Sequence, residues 1–391
     1  MGPMHGVKVV DMSVMISGPL AAMMLADQGA DVIKIESPGL GDMMRYLGSS
    51  KGGMTGIFAT NNRGKRSLVV DVKQPEGLDI VRRLIADADV LIQNFRPGAM
   101  DRLGLGYDSV AALNPRLIYV SISGFGPDGP KSGQRVYDNV IQASSGLASV
   151  QTDPATGTPT LFRTLVCDKV AALTAAQAIS AALFARERGT ADGQHIVLAM
   201  LDAAISFVWP DSAMDAVLLD DDVSRAPTIG SNYAVAEFAD GYAAISAVTD
   251  SEFNGYFRAV GLPELCDDPR YATMAARMAN LATLIPTLRA RAKATPLADF
   301  LAGAAQFDVP AAGITSLAEL PHDAQVLHND VFAVRQHPTA GTVREPRPAA
   351  RFGATPAAMG DHAPGYGQHS DEIATELGLD AAALRASGVI A

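Results

Sequence analysis

Cysteine is nearly missing from this chain: Cys167 and Cys266 are the two present in 391 residues. Two cysteines build no disulfide framework and point to a reducing compartment. No Cys/His cluster has metal-ligand spacing, so no metal is expected. Charged residues make up 19% and aromatic residues 6% against 48% hydrophobic, which excludes a disordered chain. Basic residues are in deficit, 31 against 42 acidic, for a formal net charge of −11. That balance argues against nucleic acid as a partner. The N-terminus lacks a charged-then-apolar leader pattern, and no clean apolar stretch reaches 18 residues, so we expect a cytoplasmic protein without a membrane partner. The alanine-rich run 169–186 is broken by Thr174, Gln177 and Ser180 and reads as a buried helix rather than a span. A Gly-x-Gly-x-x-Gly fingerprint is also absent, which weakens a dinucleotide-binding reading.

What is present alternates. Val7 to Met12 is a short apolar run of the parallel-strand kind. Pro19 opens a helix that stops at Gly29, and Asp31 to Glu36 is a second strand. Strands over Ser67 to Val72, Asp89 to Phe95 and Leu117 to Ser123 follow, with helices between them; Ser37 to Asn62 reads as an exposed loop. The pattern predicts an α/β fold with a mainly parallel sheet. Its ligand site belongs at the carboxyl ends of the strands. From about Gly230 the pattern changes. Ala239-Asp240-Gly241 between two apolar runs signals a hairpin, and helices over 250–260, 280–294 and 297–304 complete a smaller α+β domain. The expected organisation is a large domain over 1–200, a linker over 201–229, a small domain over 230–322, and a segment 323–391.

Val166-Cys167-Asp168 introduces the long alanine-rich helix. Asp168 is expected at or just before its N-terminus, where free N–H groups and the helix dipole favour a charged carboxylate. Such a carboxylate caps a helix, accepts a proton, or attacks a carbonyl; capping is the default. Cys167 reads as a buried thiol. Between Arg45 and Arg102 ten basic residues face six acidic ones. This local basic zone suits a small phosphorylated ligand.

Several ordered phrases carry a resemblance: Gly6 to Asp11; Gly18-Pro19; Ala30 to Glu36; Asn62 to Ser67; Asp71 to Gly77; Ala88 to Gly98; Leu113 to Tyr119; Ser123 to Gly126; Tyr137-Asp138; Cys167-Asp168; and Gly367 to Glu372. Together they resemble the class III coenzyme A transferases, a superfamily that also holds α-methylacyl-CoA racemases. The resemblance implies a large domain with a Rossmann-like sheet, a small domain and an interlocked homodimer, with the C-terminal segment packing back to complete the large domain. It implies acyl-CoA and a small carboxylic acid as substrates and no tightly bound cofactor. Position by position, Lys73, Asn94, Phe95 and Arg102 match residues that hold CoA: Lys and Arg pair phosphates, Phe95 faces the adenine, and Asn94 donates to phosphate or base. Asp168 matches the nucleophile, which forms an anhydride and then an aspartyl-CoA thioester. Tyr137 and Asp138 match its neighbours. In the racemase branch a His stands where this chain has Tyr137, and a phenol of pKa about 10 is a poor base at neutral pH. A transferase glutamine is replaced by Ile16, and the glycine-rich lid of formyl-CoA transferases has only Gly241 as counterpart. Both departures point to a larger or less polar acyl group; racemase or isomerase chemistry and non-catalytic CoA binding are the alternatives.

Overall fold

The computed structural model describes residues 1–226 and 228–391; Pro227, read as linker, lies outside the described residues. The chain divides into two compact units, Met1–Ala213 with Asp330–Ala391, and Met214–Asn329.

The larger unit is built on six strands: β1 (Lys8–Asp11), β2 (Asp31–Glu36), β3 (Lys65–Val69), β4 (Val90–Gln93), β5 (Ile118–Ser123) and β6 (Gln194–Ala199). All pair in parallel, in the order β3-β2-β1-β4-β5-β6. Short apolar strands alternating with helices give this result because each crossover buries one face of the sheet. Alternate residues point to opposite faces. Val9, Val32, Val90 and Val120 pack beneath α1 (Ser17–Asp27), α3 (Asp138–Ser144), α4 (Val166–Glu187) and α5 (Met200–Ser212). Val10, Ile33, Leu91 and Tyr119 pack on the other face, beneath α2 (Pro75–Ala86) and the C-terminal residues Ile373, Ala374, Val389 and Ile390.

The C-terminal segment covers the exposed edge of β3. Ser370 Oγ accepts the Val69 amide, the Asp71 amide donates to the Val389 carbonyl, and Val70 bridges Ile390. An uncovered edge would present unpaired backbone groups.

Three expectations shift. The large unit runs to 213 because Ala204 and Val208 of α5 join its core. The Ser37 to Asn62 stretch is not simply an exposed loop: Met44, Met54 and Phe58 are buried with Ile16 and Ala59, and Gly56–Asn62 is a helix capped by Thr55. The third strand begins at Lys65 rather than Ser67, because Lys65 and Arg66 pair with β2. Helix α4 has the length and hydropathy of a membrane span. Its Cys167, Ala171, Ala175 and Ile179 nevertheless lie in the core against the sheet.

In the smaller unit, Val235–Glu237, Tyr242–Ile245 and Ala311–Gly313 form an antiparallel sheet. Phe238, Phe257 and Phe300 form its core, with helices Asp250–Ala259, Leu281–Lys293 and Leu297–Gln306 around them.

Candidate active site

Strand order reverses between β1 and β4, so their carboxyl ends diverge and leave a crevice. A cleft of about 230 Å³ opens beside it, lined by Asn94, Phe95 and Arg96 after β4, Ser123 and Gly124 after β5, and Ser132 to Tyr137. Neither the Arg96 nor the Arg135 guanidinium has a hydrogen-bond or ion-pair partner among the described residues.

Next to this cleft three helix N-termini converge. Asp168 is not the N-cap of α4; it stands in the first turn, and Leu165 takes the cap position without a side-chain bond. The cap comes from outside. Asp138, first residue of α3, accepts the Asp168 amide on Oδ1 at 3.0 Å. Asp138 is itself held by the buried Gln142 one turn later, whose Nε2 lies 2.5 Å from Oδ2. The same amide group donates to the Phe162 and Thr164 carbonyls, and its oxygen accepts the Phe162 amide. Gln142 therefore ties α3 to the strap that leads into α4.

The Asp168 carboxyl stands near the backbone N–H of Ser17, the first residue of α1. Its expected full ionisation is corrected here. Burial, then the charge of Asp138, push its pKa up to about 7, and the nearby Ser17 amide only partly offsets this. Burial pushes the adjacent Cys167 thiol up to about 12, and the side chain is fully enclosed. It is a core residue, not a nucleophile.

The structure brings Tyr137, Asn94 and Phe95 to one cleft. Tyr137 is 68% exposed and precedes α3. Phe95 both lines the cleft and packs on the second core cluster. The Asn94 amide is engaged with the chain itself: Oδ1 accepts the Val14 amide at 2.9 Å and Nδ2 donates to the Val14 carbonyl at 2.7 Å. Lys73 and Arg102 are exposed and stand outside the cleft lining.

The basic zone proves to be two populations. Arg45, Arg63 and Lys65 are buried and paired with Glu36, Asp27 and Asp11, and are unavailable to a ligand. Lys73, Arg96 and Arg102 face solvent. Sequence reasoning missed Gln142, Arg135 and the Ser17 amide. Only Gln142 carried a signal, its i+4 spacing from Asp138 on one helix face.

Comparison with known proteins agrees with this arrangement. The sequence profile of CoA-transferase family III matches residues 4–370. A succinyl-CoA:glutarate CoA-transferase of Mus musculus is 34% identical over 96% of this chain and 87% of its own length. A succinate–glutarate CoA-transferase of Agrobacterium fabrum is 33% identical over 96% of each. A crystal structure of a CaiB/BaiF family protein from Brucella suis superposes with a TM-score of 0.85 at 34% identity, covering 96% of this chain and 99% of that one. With a doubly wound sheet, an acidic residue held at converging helix N-termini and matches along nearly its whole length, this chain belongs to CoA-transferase family III.

Proposed function

We propose that this transferase moves CoA between a small acyl-CoA and a small carboxylic acid bearing a second anionic group, with Asp168 as the nucleophile. The observation that carries the reading is Asp168, fixed at converging helix N-termini by the bond from its amide to Asp138, beside a cleft with two unpaired guanidinium groups. A carboxylate oxygen of Asp168 attacks the thioester carbonyl, the C–S bond breaks, and CoA thiolate leaves a mixed anhydride. The thiolate then attacks the Asp168 acyl carbon, releasing the donor acid and leaving an aspartyl-CoA thioester. The acceptor carboxylate opens that thioester, and the thiolate finally takes the acceptor acyl group and frees Asp168. A carboxylate with a pKa near 7 is more nucleophilic than an ordinary one and half ionised at neutral pH. Tyr137 would donate to the acyl oxygen, and Asp138 orients Asp168 through its amide. Lys73, Phe95, Arg102 and the loop fixed by Asn94 would receive CoA. The names of the relatives, with succinate and glutarate, support a dicarboxylic acid, whose distal carboxylate Arg96 or Arg135 would pair.

The functional unit in this reading is an interlocked homodimer. Leu173 and Phe184 of α4, Val197 of the edge strand β6, and Phe207 and Trp209 of α5 are between 46% and 68% exposed. A second copy would cover these apolar side chains.

The test is intact-protein mass spectrometry after mixing with succinyl-, glutaryl-, acetyl- and formyl-CoA, with hydroxylamine trapping. The expected result is a derivative on Asp168 with a dicarboxylyl-CoA, absent in Asp168→Asn. A raised pKa also suits an α-proton base. Deuterium entering the α-carbon of a 2-methylacyl-CoA, with Asp168 unmodified by every thioester, would replace this reading by the isomerase one.

A further inference from the structure

Gln142 is 1% exposed, and both ends of its side-chain amide are engaged. The oxygen accepts the Phe162 amide at 2.9 Å, and the nitrogen lies 3.3 Å from the Phe162 carbonyl. The side chain thus pairs with both backbone groups of one residue. The nitrogen also lies 3.1 Å from the Thr164 carbonyl and 2.5 Å from Asp138 Oδ2. Its two hydrogens are shared among these acceptors, and the shortest contact goes to the carboxylate, the strongest of them. A leucine or methionine would fill this volume without burying an amide. A buried amide that is fully bonded instead selects one arrangement of its neighbours.

The arrangement selected here is the seat of Asp138. Asp138 is 3% exposed, and its two oxygens have separate partners: Oδ2 takes Gln142, and Oδ1 takes the Asp168 amide at 3.0 Å. Donors on both oxygens fix how the carboxylate is turned. The first-turn amides of a helix have no acceptor within it, and Leu165 caps α4 without a side-chain bond, so the Asp168 amide depends on Asp138. Gln142 has its own base. It sits one turn after Asp138 on α3, and Phe162, which it grips, packs on the first core cluster. A continuous set of bonds therefore runs from Phe162 through Gln142 and Asp138 to the backbone of Asp168.

We propose that Gln142 is a positioning residue for Asp168: by donating to Asp138 Oδ2 it holds Oδ1 on the Asp168 amide and so fixes the first turn of α4 beside the cleft. Gln142 is not part of the cleft lining, so its effect passes through Asp138. An attacking carboxylate displaced by about 1 Å loses on the order of a hundredfold in rate, which gives a remote clamp its leverage. This inference rests on Asp168 being the nucleophile.

Gln142→Met tests it, with a side chain of similar length and no donor. Two readouts are taken on folded protein. One is hydrogen exchange at the Asp168 amide in 15N-aspartate-labelled protein, assigned by its loss in Asp168→Asn and compared with the buried Ala175 further along α4. The other is kcat and KM with a thioester that labels Asp168. Exchange at Asp168 is expected to speed up about tenfold or more, with Ala175 within about threefold. The kcat should fall about tenfold or more, with acyl-CoA KM within about threefold. In an Asp138→Ala background the same substitution should move both readouts less than about twofold, because the residue it acts through is gone. Gln142→Asn, which keeps the amide on a shorter side chain, should shift both readouts the same way by less, and it carries the test if the methionine variant does not fold. A merely structural glutamine would speed exchange at Asp168 and Ala175 alike and change kcat by the same factor with and without Asp138. That pattern would overturn the proposal, as would folded variants with either readout unchanged. The exchange readout needs no turnover; a wild-type enzyme that transfers no CoA would fail the functional reading, while exchange would still decide the positioning.

Discussion

Asp168→Asn should make the protein more stable, and by an amount that depends on pH. In the folded chain the Asp168 carboxyl titrates near 7, against an ordinary value of 3.8. Between those values the folded state holds a proton that the unfolded state has released. The contribution of Asp168 to stability is therefore full below pH 4, falls as pH rises through this window, and stays low above about 7. At 1.36 kcal/mol per unit the ceiling is about 4 kcal/mol, and partial solvent access brings the expectation to roughly 2–4 kcal/mol. Asparagine removes the charge with little change of shape, and the backbone amide keeps its bond to Asp138. The assay is urea denaturation of both proteins from pH 4.5 to 8.5. The gap should be smallest at the acid end, about sixfold or less in the unfolding constant, grow by up to a factor of ten per pH unit, and level off above 7. A gap independent of pH would refute the reasoning, as would a variant less stable than wild type at pH 8.5. Either result would mean that burial and Asp138 do not strain the ionised Asp168.

The same raised pKa predicts that kcat/KM climbs about tenfold per pH unit below 7 and reaches a plateau above it, measured with saturating acceptor acid. Arg135→Ala should raise KM for a dicarboxylic acceptor about tenfold with kcat within threefold, and leave a monocarboxylic acceptor unaffected; equal effects on both would remove Arg135 from the distal carboxylate. Arg63→Met leaves Asp27 buried without its forked partner, 2.7 and 2.9 Å away. Burial already holds Asp27 above its ordinary value. The loss should be about 3–5 kcal/mol at pH 8 and smaller in acid, where the folded variant can neutralise the buried Asp27 by taking up a proton; a loss independent of pH by urea titration would contradict this. Cys167 should resist Ellman's reagent until the protein unfolds, with at most Cys266 reacting beforehand.

The sheet was legible in the sequence because its information is local. Each strand is a short apolar run, each helix has its stop, and parallel pairing follows from the alternation. Ala204 and Val208 were harder to place, since a helix next to an acidic, proline-containing stretch gives no local sign of which core it joins. The candidate site was half legible. Asp168 and Tyr137 stood out through ordered motifs, whereas the basic count from Arg45 to Arg102 misled. A net charge does not distinguish Lys65, enclosed on Asp11, from Lys73 in solvent. That distinction depends on β3 being paired against β2, which brings residues 54 positions apart into contact. The Ser17 amide was invisible for a plainer reason: every residue but proline has an N–H, and only the tertiary path of Met12 to Ile16 brings this one near Asp168.

In the mechanism proposed for Asp168 a nucleophilic carboxylate faces two opposed demands, and the arrangement around it suits both. It must be reactive, which requires a poorly solvated charge; it must also be a good leaving group when an anhydride or thioester on it is opened, which requires that charge to be stabilised. Burial and Asp138 supply the first. The Ser17 amide and the N-terminal end of α1 supply the second, and do so with a fixed dipole that needs no reorganisation during the reaction. Asp138 takes part in both, raising the Asp168 pKa through space while holding its backbone amide in place. Replacing Asp138 by asparagine therefore separates its two contributions. Its side-chain oxygen can retain the bond to the Asp168 amide while the Gln142 Nε2 contact to the second oxygen is lost; the repulsion is gone and the Asp168 pKa falls. The acid limb of kcat/KM should move to lower pH and the plateau rate should decline, since a less basic carboxylate attacks the thioester more slowly. A limb that stays at 7 would show that desolvation alone sets the nucleophile's basicity.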